Sequence, residues 1–405
     1  MSLWLAIVLP ALPLQLAARA LESPGPLAIV EGPAQRLQVA FCNEAAAACG
    51  IAPGLKLAAA QALARDLIAV ERSLEREREA LTELAAWAYQ FSAQIAVRTN
   101  GVLIETGASR RLFGGHDRLH RRIERGLHAL GYTAASGYAV TPQAAWWIAA
   151  ARAAGGTAAD ALDSTGLRGA LAPLPLHLAD WEPQTTQALH ALGLTTFGDL
   201  LALPRDQLGR RFGPALLEAL DRALGRLPDP QPPYAPPEKF FARLELPAAT
   251  EDAAQLLFPA RRLLSSLEGF LRGRDAGATE IVFTAMHDAR RAQPVPPTSF
   301  ALALAAPERD SERLAKLLAE RLARVRLPAP AVALTLAVER LLPFTPRPAS
   351  LLPPAPERVA DGESWLQLAE TLHARLGSAR VFQLQCVDDH RPEYAYRIVP
   401  LAADS

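Results

Sequence analysis

The sequence has no aspartate or glutamate before Glu22 and none between Glu83 and Glu105. The first gap contains WLAIVLP (Trp4–Pro10), which reads as a buried strand. Neither gap can offer a carboxylate to a cation or to proton transfer. Cysteine is scarce: Cys42, Cys49 and Cys386 form an odd set without CxxC spacing, which excludes a disulfide framework and points to a reduced, cytoplasmic setting. The 8 histidines fall at no metal-binding spacing with them. Gly114-Gly115 and Gly155-Gly156 do not form a phosphate-binding loop, and no cofactor is expected. Charge of one sign is also lacking. Lys+Arg and Asp+Glu both number 42, so affinity for nucleic acid has to come from local patches. No apolar stretch is long enough to span a bilayer, so no membrane is expected as a partner. The apolar opening Leu3–Ala20 has no basic leader and carries Pro10 and Pro13, which favours a strand and turn over a signal peptide.

What is present is a chain of 405 residues, 50% hydrophobic, enough for two to four domains. Patterning predicts a strand to about Val8, a helix over Gln15–Ala20, strands at Leu27–Val30 and Leu37–Phe41, and helices from Asn43 to Gly50 and over Leu57–Ala64. A long helix is predicted over 71–91, its charged early part a solvated face. Strands Gln94–Arg98 and Val102–Glu105 flank Asn100-Gly101, a dipeptide suited to a tight hairpin because both residues tolerate positive φ. A helix (Asp117–Leu130), a strand (Thr133–Tyr138) and a helix (Gln143–Ala154) follow, predicting a sheet covered by helices on one face. On the last helix Trp146 and Trp147 point different ways, one to the core and one toward another element.

Leu171–Gly225 reads as short helices. In Leu189–Gly213, Gly193, Thr195, Thr196 and Gly198 make a hairpin whose amides suit a phosphate, with Arg210 and Arg211 adding charge. The bland alternative is an αα-corner with solvated arginines. Pro228–Pro237 has 6 prolines in 10 residues, predicting a stiff tether. Beyond it, β-α-β-β-α-β order predicts a ferredoxin-like split sheet. There Arg261, Arg262, Arg272 and Arg274, with Arg290-Arg291 on a loop, form a candidate phosphate-tracking patch. A second proline-rich stretch, Pro343–Pro356, leads to a tail with a helix (Trp365–Arg375) and a strand (Val381–Val387).

Asn43–Leu55 (NEAAAACGIAPGL) resembles the fingers motif N-Y-E-A-R-x-x-G-[IV]-x-x-G-M of Y-family DNA polymerases. Glu44 and Ala47 stand where that family holds the incoming triphosphate with Tyr and Arg. Gly101–Gly115 (GVLIETGASRRLFGG) resembles the segment after the family's S-I-D-E. The resemblance puts the family's metal-binding acids at Asn100 and Gly101, and near Ala6 or Val8 in the opening strand. Only Glu105 lies nearby, and one carboxylate cannot clamp two ions; its expected role is to end a strand and satisfy backbone or arginine partners.

Nearly the whole chain, including its tail block Asp389–Glu393, resembles the ImuB family, noncatalytic Y-family-like members of a bacterial mutagenesis cassette. The resemblance implies an α+β multidomain fold: a palm over 1–160 with fingers inserted at about 16–75, a helical thumb over 161–227, a tether over 228–238, a ferredoxin-like little finger over 239–343, and a linker with a partner-binding tail over 344–405. It also implies an adaptor in DNA-damage-induced translesion synthesis. The implied partners are DNA, an ImuA-like protein and an error-prone C-family DNA polymerase. Ser350, Leu351 and Leu352 occupy the place of a sliding-clamp ligand of the form Q-x-S-L-F, with Pro348 for Gln and Leu352 for Phe. A divergent active polymerase and a pure protein-interaction module are the alternatives.

Overall fold

Apolar and β-branched residues at Trp4–Val8 make a strand that pairs on both sides, and around it the computed structural model places the rest of a four-stranded sheet. The structure describes residues 2–22, 25–288, 295–344, 372, 375, 380–388 and 390–400. The chain divides into two compact units, residues 1–15 with 73–236 and residues 16–72 with 237–405.

In the first unit the opening strand lies between Gly101–Glu105 and Ala135–Ala139, antiparallel to both, with Ile95–Arg98 at one edge. Helices cover both faces rather than one. Tyr138 meets the His116–Ala129 helix through His116 and His120, while a Cβ at its neighbour Gly137 would strike Ala145, Ile148 and Ala149 of the Pro142–Ala153 helix. Adjacent strand residues point to opposite faces, so these helices sandwich the sheet. The Leu74–Ala88 helix joins the first side, its Trp87 filling the space over Gly126.

The tryptophan helix starts with Pro142 at its first turn and Thr141 as N-cap, accepting from the Ala144 amide. Trp147 stacks on Phe197 at 4.3 Å, and the core continues through Leu171, Leu200, Leu208 and Leu220 of the short helices that follow. Five α-helices lie between Leu167 and Ala223: Leu167–Leu171, Pro183–Ala191, Phe197–Leu201, Arg205–Phe212 and Pro214–Ala223. The first helix of the chain runs Leu12–Ala18, earlier than expected, because proline is tolerated in a helix's opening turn. The proline-rich stretch is not a free tether at Gln231 and Tyr234. Tyr234 donates its amide to the Ile95 carbonyl and its hydroxyl to the Thr82 carbonyl, and Gln231 accepts from Arg98.

In the second unit Leu27–Glu31 pairs antiparallel with Gln38–Cys42 and parallel with Ile68–Glu71. That last strand lies where a helix is expected from residue 71. Ile68 and Val70 favour the sheet, and Ser73, accepting from the Arg76 amide, delays the helix to Leu74. Residues 240–338 follow the expected split order: Phe240–Thr250, Leu257–Arg272, Ala276–His287, Thr298–Glu308, Ser311–Leu322, Ala331–Val338. The strands lie third, second, fourth, first across the sheet. Phe283, Phe300 and Leu336 are buried on the face packed by the helices. The opposite face presents Phe241, Arg243, Val282, Thr284, Ser299 and Ala337, with one ion pair, Arg243–Glu245.

The tail strand Phe382–Cys386 pairs with Tyr396–Pro400, a partner the sequence pattern did not show. The expected helix Trp365–Arg375, the Arg290-Arg291 loop and Ser350, Leu351 and Leu352 lie outside the described residues apart from Leu372 and Arg375.

Candidate functional site: a closed sheet end and its basic surroundings

Both segments that the resemblance assigns to metal-binding acids meet at one end of the first sheet. Val8 pairs with Gly101, and the Leu9 amide donates to the Asn100 carbonyl at 2.8 Å. Ala6 lies two residues inside, opposite Leu103, fully buried with Val8 against the tryptophan helix. The hairpin is closed by Thr99 and Asn100, not by Asn100-Gly101: Arg98 pairs with Gly101, which begins the strand, and neither turn residue has positive φ. Gly101 is required for another reason. A Cβ there would lie 2.0 Å from the Ile7 carbonyl oxygen, so this backbone leaves no room for any side chain at 101.

A guanidinium occupies the neighbourhood. Arg98 donates to Gln143 at 3.4 Å and Gln231 at 3.0 Å and lies 5.5 Å from the Trp146 ring centroid. Burial lowers its pKa, and Asp229 and Asp180 oppose that shift. Asp229 shows the converse, its pKa raised by burial and restrained by Arg98. Glu105 lies at the far end of its strand, about 14 Å from Gly101 at a strand's rise per residue. Its buried carboxylate accepts from the amides of Leu3 (3.1 Å), Gly107 (2.9 Å) and Ala108 (3.4 Å). That is the strand-ending role expected of it. The residues at the sheet end, Ala6, Val8, Asn100 and Gly101, do not fit a pair of divalent cations.

In the segment that resembles the fingers motif, Asn43 is an N-cap whose Oδ1 accepts from the amides of Ala46 (2.9 Å) and Leu27 (3.0 Å). Gly50 and Gly54 both have positive φ, 83° and 87°, the conformation that favours glycine. Glu44 and Ala47 are exposed.

The helical hairpin forms, but its amides are already engaged. Asp199 accepts from the amides of Thr195 (3.1 Å) and Thr196 (2.9 Å), completing a capping box, and these bonds hold its pKa low. Gly198 donates to the Ala172 carbonyl, and Gly193 turns the chain at φ 76°. A phosphate approaching these amides meets a carboxylate first. Sequence reasoning missed the second hairpin. There Gly213, at φ 81°, joins Arg205–Phe212 to Pro214–Ala223, whose N-terminus has no side-chain cap, and exposed Arg210 and Arg211 immediately precede it. The signal was the FGP triplet Phe212-Gly213-Pro214, a glycine stop followed by an N1 proline.

The arginines of the split domain have separate duties. Arg272 pairs with Glu268 at 2.5 Å. Arg274 donates to the Pro237 carbonyl and packs on Phe270. Arg262 lies 5.1 Å from the Phe258 ring centroid, its pKa lowered by burial. Arg261 is exposed. About 16 Å of helix rise separates Arg261 from Arg272, so the four do not make one cluster.

On the tail hairpin, directly paired residues share a face. Leu384 with Ile398 and Cys386 with Tyr396, joined by Phe382, make one side largely apolar and exposed.

Comparison with known proteins places these features in a lineage. The model of the impB/mucB/samB family matches residues 14–150. The protein named ImuB in two strains of Caulobacter vibrioides is 32% identical over 358 residues, covering 87% of this chain and 75% of the relative. The chain belongs to the ImuB family. ImuB membership accords with the α+β, Y-family polymerase-like architecture expected from the motifs. Among solved structures, DinB from Sulfolobus solfataricus is 16% identical, with 85% of this chain and 100% of that one covered, at a TM-score of 0.44.

Proposed function

We propose that this ImuB-family chain is a noncatalytic adaptor in DNA-damage-induced translesion synthesis and mutagenesis. The observation that carries the reading is the closed sheet end. Gly101 admits no side chain, Val8 and Asn100 are neutral, and Arg98 stands beside the turn. Arg98 is offset by Asp229 and Asp180, and neither strand of the pair offers a carboxylate at that end to hold the divalent ions that phosphoryl transfer needs.

DNA contact is assigned first to Arg210 and Arg211 beside the uncapped helix of the second hairpin. Arg261 is a lesser candidate, and the hairpin of Gly193, Thr195, Thr196 and Gly198 contributes shape, because Asp199 fills its amides. Partner recruitment is assigned to the tail, where a two-stranded hairpin with an exposed apolar face gains stability by being covered. The partners in this reading are an ImuA-like protein and an error-prone C-family polymerase, with the sliding clamp taken by Ser350, Leu351 and Leu352. Setting and context, cytoplasmic and damage-responsive, follow from the family resemblance.

Primer extension by the purified full chain with Mg²⁺ or Mn²⁺ tests the central claim. No template-directed incorporation is expected. Incorporation that tracks with the chain through purification overturns it in favour of a divergent polymerase. Fluorescence anisotropy with primer–template DNA separates the adaptor from a pure protein-interaction module: affinity that falls steeply with salt supports the adaptor, and none at low salt supports the module.

A further inference from the structure

A second basic surface lies on the first unit, on residues to which no function has been assigned above. Between Ser109 and Arg125 the chain has six arginines (110, 111, 118, 121, 122 and 125) against two acids, Asp117 and Glu124, in a protein of zero net charge. Glu124 is engaged by His120 at 3.1 Å. Arg118, Arg121, Arg122 and Arg125 recur at i, i+3, i+4 and i+7 of the His116–Ala129 helix, so they form one stripe. The opposite stripe, Leu119, Ile123 and Leu127, is buried.

The turn before that helix puts an apolar side chain against the stripe. Gly114 and Gly115, at φ 74° and 111°, hold a bend that leaves Leu112 82% exposed. Leu112, Phe113 and the four arginines line one shallow groove of about 490 Å³. Phe113 already has neighbours on its ring, Phe91 at 5.6 Å and the Arg122 guanidinium at 5.4 Å.

We propose that this groove docks an acidic amphipathic segment of a partner protein, its carboxylates on the arginine stripe and one aliphatic side chain against Leu112. The inference does not rest on the adaptor reading. Charge complementarity identifies the sign of the occupant, and Leu112 identifies its class. A phosphodiester backbone would neutralise the arginines but leave Leu112 in water, and Phe113, with its ring already packed, is a poor stacking platform for a base. An amphipathic peptide satisfies both halves of the groove.

The test uses the full chain and three fluorescein-labelled probes: a synthetic helix with glutamate and leucine on one face, the same helix with serine for leucine, and oligothymidylate. The leucine helix is expected to bind, with affinity falling about tenfold in Leu112→Ser and further in the Arg118→Glu, Arg121→Glu double variant. Arg65→Ala, at an exposed arginine outside the groove, is expected to leave binding of the leucine helix unchanged. A lysine-for-glutamate helix is expected to bind a variant with Arg118, Arg121, Arg122 and Arg125 all changed to glutamate and not the parent, which guards against loss by misfolding. Equal binding of the serine helix, full displacement by oligothymidylate at matched charge, or an unchanged Leu112→Ser overturns the proposal.

Discussion

At the scale of single residues, Gly101 and Asp221 are both tightly specified. A Cβ at 101 collides with the Ile7 carbonyl, so Gly101→Ala forces the central strand pair apart. The expected cost is about 3 kcal/mol or more, read as a lowered thermal midpoint, and Gly101→Glu is expected to be no better tolerated and to yield no incorporation activity. Asp221 is 4% exposed and accepts from Arg205, with Arg226 at 3.7 Å. The hydrogen bond from Arg205 depresses its pKa first, against burial, with the charges of both arginines adding to the effect. Its stabilising contribution is therefore present above the unfolded value of about 3.9 and is lost as pH falls through the lower folded value. Asp221→Asn is expected to lose about 2 kcal/mol at neutral pH. The gap in thermal midpoint between variant and parent should close below about pH 4.

At the scale of elements, the two helical hairpins divide structural and electrostatic work. Asp199 caps Phe197–Leu201 and repels anions, whereas Arg210 and Arg211 flank a helix start without a side-chain cap. Asp199→Asn is expected to loosen the capping box, read as a slightly lowered thermal midpoint, while strengthening DNA binding at low salt, measured by anisotropy. Arg210→Ala with Arg211→Ala is expected to weaken DNA binding and reduce the salt slope by about two. Much of this level was legible beforehand. Asn43 as a cap and the split order of residues 240–338 follow from local chemistry. The strand Ile68–Glu71 was not, because four residues before a charged helix carry no periodicity of their own and pair only with distant Leu27–Glu31. The engagement of Tyr234 and Gln231 was equally hidden, since proline content predicts stiffness but not what the stretch lies against.

At the scale of the whole molecule, the family was readable from the two glycines of the fingers-like motif and from Ser109–Gly115, and relatives at 32% identity bear it out. What the residues could not show was why position 101 is glycine, since the obstruction is a carbonyl 94 positions earlier in the chain. In the proposed reading, a polymerase-like body without the metal-binding acids acts through its surfaces. The tail hairpin provides the broadest test of that view. Leu384→Ser with Ile398→Ser is expected to abolish capture of an ImuA-like partner in a two-component pull-down while leaving DNA affinity unchanged. The cramped contact at Gly101 also limits redesign. Exchanging one codon cannot install an acid there, because the main chain would have to part at the same moment. The position opens only to a second, compensating change in the strand that faces it.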